Sequence, residues 1–390
     1  MNTTDGLPIK FVEDAADFKK LCDGWQTSEF LALDTEFERT NTFYPRIGLL
    51  QLADDSACYL IDPTRIDDWS NFRDLITKSG CAFVIHSCSE DLNLLHTVLD
   101  CVPAIVFDTQ LAAAFLGLGY SISYQALVRE ILNIDVLKDE TRSDWLKRPL
   151  SDKQIVYAAA DVNHLQSLQR SLKQRLLAKN MLRWFETECH HQLAIAAENE
   201  LEKNWQILYS GVSNAWRLND TGLSYLQKLC YWREQEARER DKPRYWIAKD
   251  NDLLNIAKQL SQSDKLSLDS LVLNSRLNEK LIARYGSMFL HLLNANDSNF
   301  VQVDRKLLNT PIPPSLRKKL KDCQQLVNEK ATELGMAPEL LGRKKQLLEL
   351  VRSFDQGGEL SWGRELSNWR REILEPDINR IMSGEVRNET

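Results

Sequence analysis

Asp34 and Glu36 stand two apart in FLALDTEFER (residues 30–39), directly after the apolar run Phe30–Leu33. Alternate side chains of an extended chain share a face, so carboxylates at this spacing point the same way. Side by side near a buried strand they repel and lose hydration unless positive charge joins them, and a divalent cation would supply it. The alternative is a strand that stops and leaves two solvated acids at the sheet rim. Asp91 falls in the first turn of a helix after the apolar stretch Ala82–His86, where it would equally answer the helix dipole, with Glu90 as a competitor. Asp108 ends another apolar run and suits a helix N-cap or a supporting place near the other acids. Tyr157 and Asp161 are four apart in IVYAAADVNHL (155–165), which stacks them on one helix face; a core tyrosine above a solvated acid has the same spacing. Arg142, Lys147 and Arg148 in TRSDWLKRPLS (141–151) are candidate phosphate contacts or a solvated loop.

These groups need strands and helices to hold them. Phe30–Leu33, Ile47–Ala53, Cys58–Ile61, Ala82–His86 and Ile105–Phe107 read as short strands, with Asp54-Asp55 as a hairpin turn. Glu90–Leu99 reads as a helix with Ser89 at its N-cap. Three meander-like strands followed by a βαβ unit predict a mixed α/β sheet. Residues 150–180 read as one long helix, opened by a Ser151/Gln154 capping box and a Leu150/Ile155 staple. From about 210 onward the chain is nearly all helical. The expected domains are 1–205, 211–291 and 309–385, with the polar stretch 294–300 as a linker.

The 390 residues are 43% hydrophobic and 27% charged, as ordinary folded domains are, and the net charge of -7 confines any polyanion site to a local patch. Eight cysteines occur without a C-x-x-C motif, and the N-terminus lacks the basic and apolar regions of a signal peptide. No apolar run is long enough to span a bilayer, so a reducing, cytoplasmic setting is expected. Cys189, His190 and His191 are consecutive and cannot converge from one helix, and His86 with Cys88 lacks a second pair at zinc spacing, so no zinc site is expected.

Taken in order, DTEF at Asp34–Phe37, H-x-x-x-x-D-L at His86–Leu92 and Y-A-A-A-D at Tyr157–Asp161 resemble the DEDD exonuclease superfamily, and within it the ribonuclease D family. Val156 stands where one branch carries histidine, so Tyr157 places the chain with the tyrosine branch. The resemblance implies a ribonuclease H-like α/β mixed-sheet 3′-5′ exonuclease domain followed by all-α HRDC bundles. It implies Asp34, Glu36, Asp91 and Asp161 as ligands of two Mg²⁺ ions, with Mn²⁺ as a substitute; hard cations suit carboxylate oxygens. Tyr157 would orient the attacking water, since a phenol of pKa about 10 is a poor base. The Thr35 carbonyl would contact the terminal nucleotide.

Residues 223–258 resemble an HRDC domain, through W-R-E-x-E-A-R-x-R-D-x-P-R at Trp232–Arg244 and W-x-x-x-D at Trp246–Asp250. Residues 217–249 hold eight basic and five acidic residues, and 314–345 hold eight and four, against the chain's negative balance. A guiding surface for RNA is one reading, with Arg240 and Arg244 on phosphates and Tyr231, Trp232, Tyr245 and Trp246 stacking on bases. Bundle-core aromatics and a solvated charged face are the other. The expected activity is 3′→5′ hydrolysis of RNA to nucleoside 5′-monophosphates by a monomer, and the resemblance implies trimming of tRNA precursors. A non-catalytic RNA-binding scaffold and a DNA-directed nuclease are the alternatives.

Overall fold

The strand bearing Asp34 and Glu36 does not stop at Leu33: it runs from Phe30 to Glu38 (β2) within a six-stranded sheet. The structure is a computed structural model that describes residues 6–136, 143–198, 200–263, 267, 271, 278–294, 300–366 and 368–384. The other strands are β1 (Ile9–Val12), β3 (Arg46–Ala53), β4 (Cys58–Ile61), β5 (Ala82–Ile85) and β6 (Val106–Asp108), in spatial order β1-β4-β3-β2-β5-β6. β3 and β4 pair antiparallel, and Asp54 closes their turn by accepting from the amides of Ser56 and Ala57. β1 lies parallel to β4, and β5 lies parallel to both β2 and β6, giving the mixed sheet. β5 pairs with β2 only over Phe30–Ala32, so the acids lie beyond that pairing.

Helix α1 (Ala15–Gly24) precedes β2, α2 (Ser70–Lys78) precedes β5, and α3 (Ser89–Leu99) joins β5 to β6. Ser89 is the first helical residue of α3, and Cys88, at the cap position, makes no side-chain cap bond. Asp108 caps α4 (Thr109–Phe115), accepting from the amides of Gln110 and Leu111 at 2.9 and 3.2 Å. Then come α5 (Tyr124–Leu132), α6 (Asp152–Asn163), α7 (Leu165–Ala178) and α8 (Leu182–Glu198). The capping box at Ser151/Gln154 is formed. The single helix expected over 150–180 is two, because the Tyr124 hydroxyl enters the backbone ladder. It donates to the Ala160 carbonyl at 3.0 Å and accepts from the His164 amide at 3.2 Å, taking the place of the bond those two groups would make in a continuous helix.

Past residue 197 the chain is helical: α9 (Asp220–Glu239), α10 (Arg244–Ile247), α11 (Asp250–Ser261), α12 (Glu279–Asn294), α13 (Pro314–Leu334), α14 (Pro338–Leu341), α15 (Lys344–Gly357) and α16 (Trp369–Ser383). Most of the stretch read as a linker (295–299), like Arg142, lies outside the described residues. Packing divides the chain into two compact units, one of Met1–Glu38, Ile47–Ala196 and Ile312–Thr390, the other of Arg39–Arg46 and Ala197–Pro311. In the first, Leu341, Val351 and Leu374 share one apolar core with Leu33, Phe83 and Leu168. Around it Trp184 stacks on Trp369 at 5.0 Å, and the Ala337 amide donates to the Ala114 carbonyl at 2.8 Å. Arg370 forks onto Glu188 with both side chains nearly buried, at 8% and 12% exposure. No helix among the described residues is long and apolar enough to cross a membrane.

Arg370→Leu would strand the Glu188 carboxylate without its counter-charge. Denaturant titration of the full chain should show the first unit destabilised by about 3–5 kcal/mol, and replacing Glu188 as well should recover much of that loss.

Candidate active site

Leu31, Ala32 and Leu33 have no solvent exposure and anchor β2 in the core, which fixes the register of the residues after them. Alternation then presents Asp34 and Glu36 on one face. Asp161 reaches the same place from the last turn of α6, just ahead of the break that the Tyr124 hydroxyl makes. One oxygen from each of Asp34, Glu36 and Asp161 lies within 4.8 Å of the other two.

Asp91 is not part of that triad. It sits in the first turn of α3, and one of its oxygens accepts from the Thr35 hydroxyl at 2.5 Å, both residues being 7% exposed. Thr35 lies between the two acids of β2, and alternation turns its side chain off their shared face. Its hydroxyl thus positions Asp91, a pairing that spans 56 residues of sequence. The start of α3 is set by Asp108, whose carboxylate accepts from the amides of Ser87 and Cys88 at 3.0 and 3.2 Å while capping α4. Ser87 holds a left-handed φ of 65°, the sharp turn from β5 into α3. Asp108 is 2% exposed, and these bonds make it a structural clasp between two helix starts. His86 is half-buried, with both ring nitrogens bonded within the fold: Nδ1 meets the Thr109 hydroxyl at 2.9 Å and Nε2 the Ile122 carbonyl at 3.1 Å, and burial lowers its pKa. A carbonyl only accepts, so Nε2 carries the proton.

The acids crowd one another. Burial, joined by the charges of Asp91, Asp161 and Glu36, holds Asp34 well above the usual carboxylate range. Burial, then Asp161 and Asp91, push Glu36 up to about 8. Asp91 and Asp161 both rise to about 7, chiefly through burial, against hydrogen bonds from Thr35 and Tyr157 that pull the other way. Every charge shifting Asp34 and Glu36 is itself a carboxylate. A cluster of hard anionic oxygens with no cation among its perturbing groups fits a divalent metal. Tyr157 bonds to Asp161 one turn away and packs its ring 6.0 Å from that of Trp145. Burial and then the Asp161 charge hold its phenol well above the ordinary value, which suits it to orienting a water and not to taking a proton.

The expected basic contacts fare differently. Arg148 is not a phosphate ligand here, because all five of its N–H donors are spent. It forks onto buried Asp62 at 2.5 and 2.7 Å and donates to the carbonyls of Gly48, Trp145 and Lys147 at 2.7, 2.8 and 3.0 Å. In the second unit Arg244 forks onto Glu234, which is 1% exposed, and Arg240 pairs with Glu236. The four aromatics divide: Trp232 is core at 8% exposure and Tyr231 is half-buried, while Tyr245 and Trp246 stand out at 61% and 51%.

A family profile described as 3′-5′ exonuclease matches residues 9–177, and one described as HRDC domain matches 223–293. Sheet, acid cluster and profiles together define a 3′-5′ exonuclease that carries an HRDC domain. The chain is 36% identical to ribonuclease D of Pseudomonas paraeruginosa, over 94% of this chain and 95% of that one. It is 34% identical to ribonuclease D of Haemophilus influenzae, over 96% and 92%. The crystal structure of Escherichia coli RNase D, described as an exoribonuclease involved in structured RNA processing, superposes with a TM-score of 0.82 at 28% identity, covering 98% of this chain and all of that one. The chain belongs to the ribonuclease D family and is a 3′→5′ exoribonuclease.

The raised carboxylates make a pH prediction. Folding lifts their pKa values from about 4 in the unfolded chain toward 7–8, so between those limits the metal-free folded protein holds more protons than the unfolded one. Their contribution to stability is full below about pH 4 and is lost as the pH rises through 7–8. Calorimetry in chelator should show the unfolding midpoint falling from pH 5 to 8, and added Mg²⁺ or Mn²⁺ should raise it most at the alkaline end.

Proposed function

We propose that the chain removes nucleotides one at a time from RNA 3′ ends by a two-metal-ion hydrolysis, releasing nucleoside 5′-monophosphates. The observation that carries this is the meeting of Asp34, Glu36 and Asp161 with Tyr157 bonded beside them. Two Mg²⁺ ions, for which Mn²⁺ can substitute, would supply positive charge to the attacking water and the departing 3′-oxygen of an in-line displacement. Asp34, Glu36 and Asp161 hold them in this reading, and Asp91 joins through whichever oxygen the Thr35 hydroxyl leaves free. Tyr157 orients the water while its own proton stays in place. Thr35 also lends its carbonyl to the terminal nucleotide.

The substrates are structured RNAs with single-stranded 3′ tails, among them tRNA precursors with 3′ trailers, and the working form is a cytoplasmic monomer. Support for RNA comes from family membership and from the name given to the E. coli relative.

The test is a divalent-cation titration with a 3′-extended tRNA and with RNA and DNA oligomers of one sequence, products separated by size. The wild-type chain should shorten RNA in single-nucleotide steps, and chelator should stop it. Asp34→Asn and Asp161→Asn should each lower turnover by on the order of 10²–10³-fold or more, with circular dichroism unchanged. Full turnover in either variant, or unchanged activity in chelator, would overturn the mechanism.

A further inference from the structure

The buried run Gly48–Ala53 of β3 contains a single polar side chain, Gln51, and it has no solvent exposure. Its amide nitrogen and oxygen both lack a hydrogen-bond partner, and no other described residue leaves a donor and an acceptor buried together in this way. Other buried glutamines of the same unit are provided for. Gln166 donates to the Ala53 carbonyl at 2.9 Å, and Gln154 to the Asp144 carbonyl at 3.2 Å. An orphaned amide destabilises a core that methionine or leucine would fill without that cost, so its presence points to a cause outside packing.

Strand pairing fixes where the amide projects. Gln51 lies opposite Leu60 of β4, so the two share a face of the sheet. Leu60 packs with Ala158 of α6, and Cys58, two residues before it, points its thiol at the Ala159 carbonyl at 3.7 Å. Gln51 therefore projects toward α6. So does Asp34, whose oxygen meets that of Asp161. β3 lies between β4 and β2 in the sheet, and α6 packs across both flanking strands. Gln51 thus sits beneath α6, one strand over from Asp34 and on the same side. The needs of the two groups are complementary. Asp34 has Glu36 and Asp161 for neighbours, acceptors like itself, whereas Gln51 brings two N–H donors and no charge.

We propose that Gln51 is a positioning residue of the exonuclease: in the cation-loaded site its amide N–H donates to the Asp34 carboxylate and holds it in place as a metal ligand. The inference rests on the metal-ion reading of the acid cluster. Groups that brace a ligand from behind set metal affinity by about 10–100-fold. In this role Gln51 touches neither RNA nor the reacting atoms.

The experiment uses the full chain and Mn²⁺ alone, titrated by isothermal calorimetry without RNA, beside thermal unfolding in chelator. Gln51→Met keeps the length of the side chain and removes its donors, and Gln51→Leu is the second variant. Both should unfold about 2–5 °C above wild type in chelator, because the orphaned amide is gone. Both should bind Mn²⁺ about tenfold more weakly. With RNA added, the Mn²⁺ concentration for half-maximal cleavage should rise by the same factor, and KM for RNA at saturating Mn²⁺ should stay at the wild-type value. A glutamine with a purely structural role would give the higher midpoint without the loss of affinity. Wild-type Mn²⁺ affinity in a folded variant, or failure of both variants to fold, would therefore overturn the positioning role while leaving the metal-ion reading intact. If the wild-type chain itself binds no Mn²⁺, the metal-ion reading fails and the role of Gln51 falls with it.

Discussion

Like-charge repulsion at a buried strand is the constraint around which the first unit is arranged. Three carboxylates bring oxygens within 4.8 Å of one another, and a fourth adds its charge from α3. Left to themselves these groups would separate or protonate. Each is therefore held from behind: Asp34 and Glu36 by the fully buried run Leu31–Leu33, Asp91 by the Thr35 hydroxyl and by a helix start that Asp108 clasps, Asp161 by a helix capped at one end and broken at the other. The scaffold holds the acids close enough that a doubly charged cation would offset their repulsion.

That division explains what could be read in the sequence. Alternation in β2, the four-residue step from Tyr157 to Asp161, the capping box and the turn at Asp54 are local, and each has a short-range cause. The fold class followed from the order of such pieces. What escaped depends on partners distant in the chain. Nothing near Ala160 announces the break at His164, because the hydroxyl that makes it belongs to Tyr124. Nothing near Arg148 tells that Asp62, 86 residues away, takes up its fork. Residue type alone left Arg148 a candidate phosphate contact or a solvated loop residue; its five donors, all taken by neighbours, make it a strut.

The same counting applies to the second unit, where a run dense in arginine reads as a basic patch. Arg238 and Arg244 converge on one buried glutamate and both lie against the Phe43 ring, so part of that charge is internal to the fold. Charge tallies along a sequence therefore overstate what solvent meets.

The division of the chain also has a consequence in time. The first unit takes residues from before and after the second in sequence, and the second interrupts it twice. A ribosome making about 5–20 residues per second therefore needs on the order of ten seconds or more, after the last acid emerges, to deliver Leu341, Trp369 and Leu374 to the core they share with the sheet. A chain released before residue 312 carries every acid of the cluster and lacks the helices that finish that core. Completion of that core therefore waits on helices that follow the second unit in sequence.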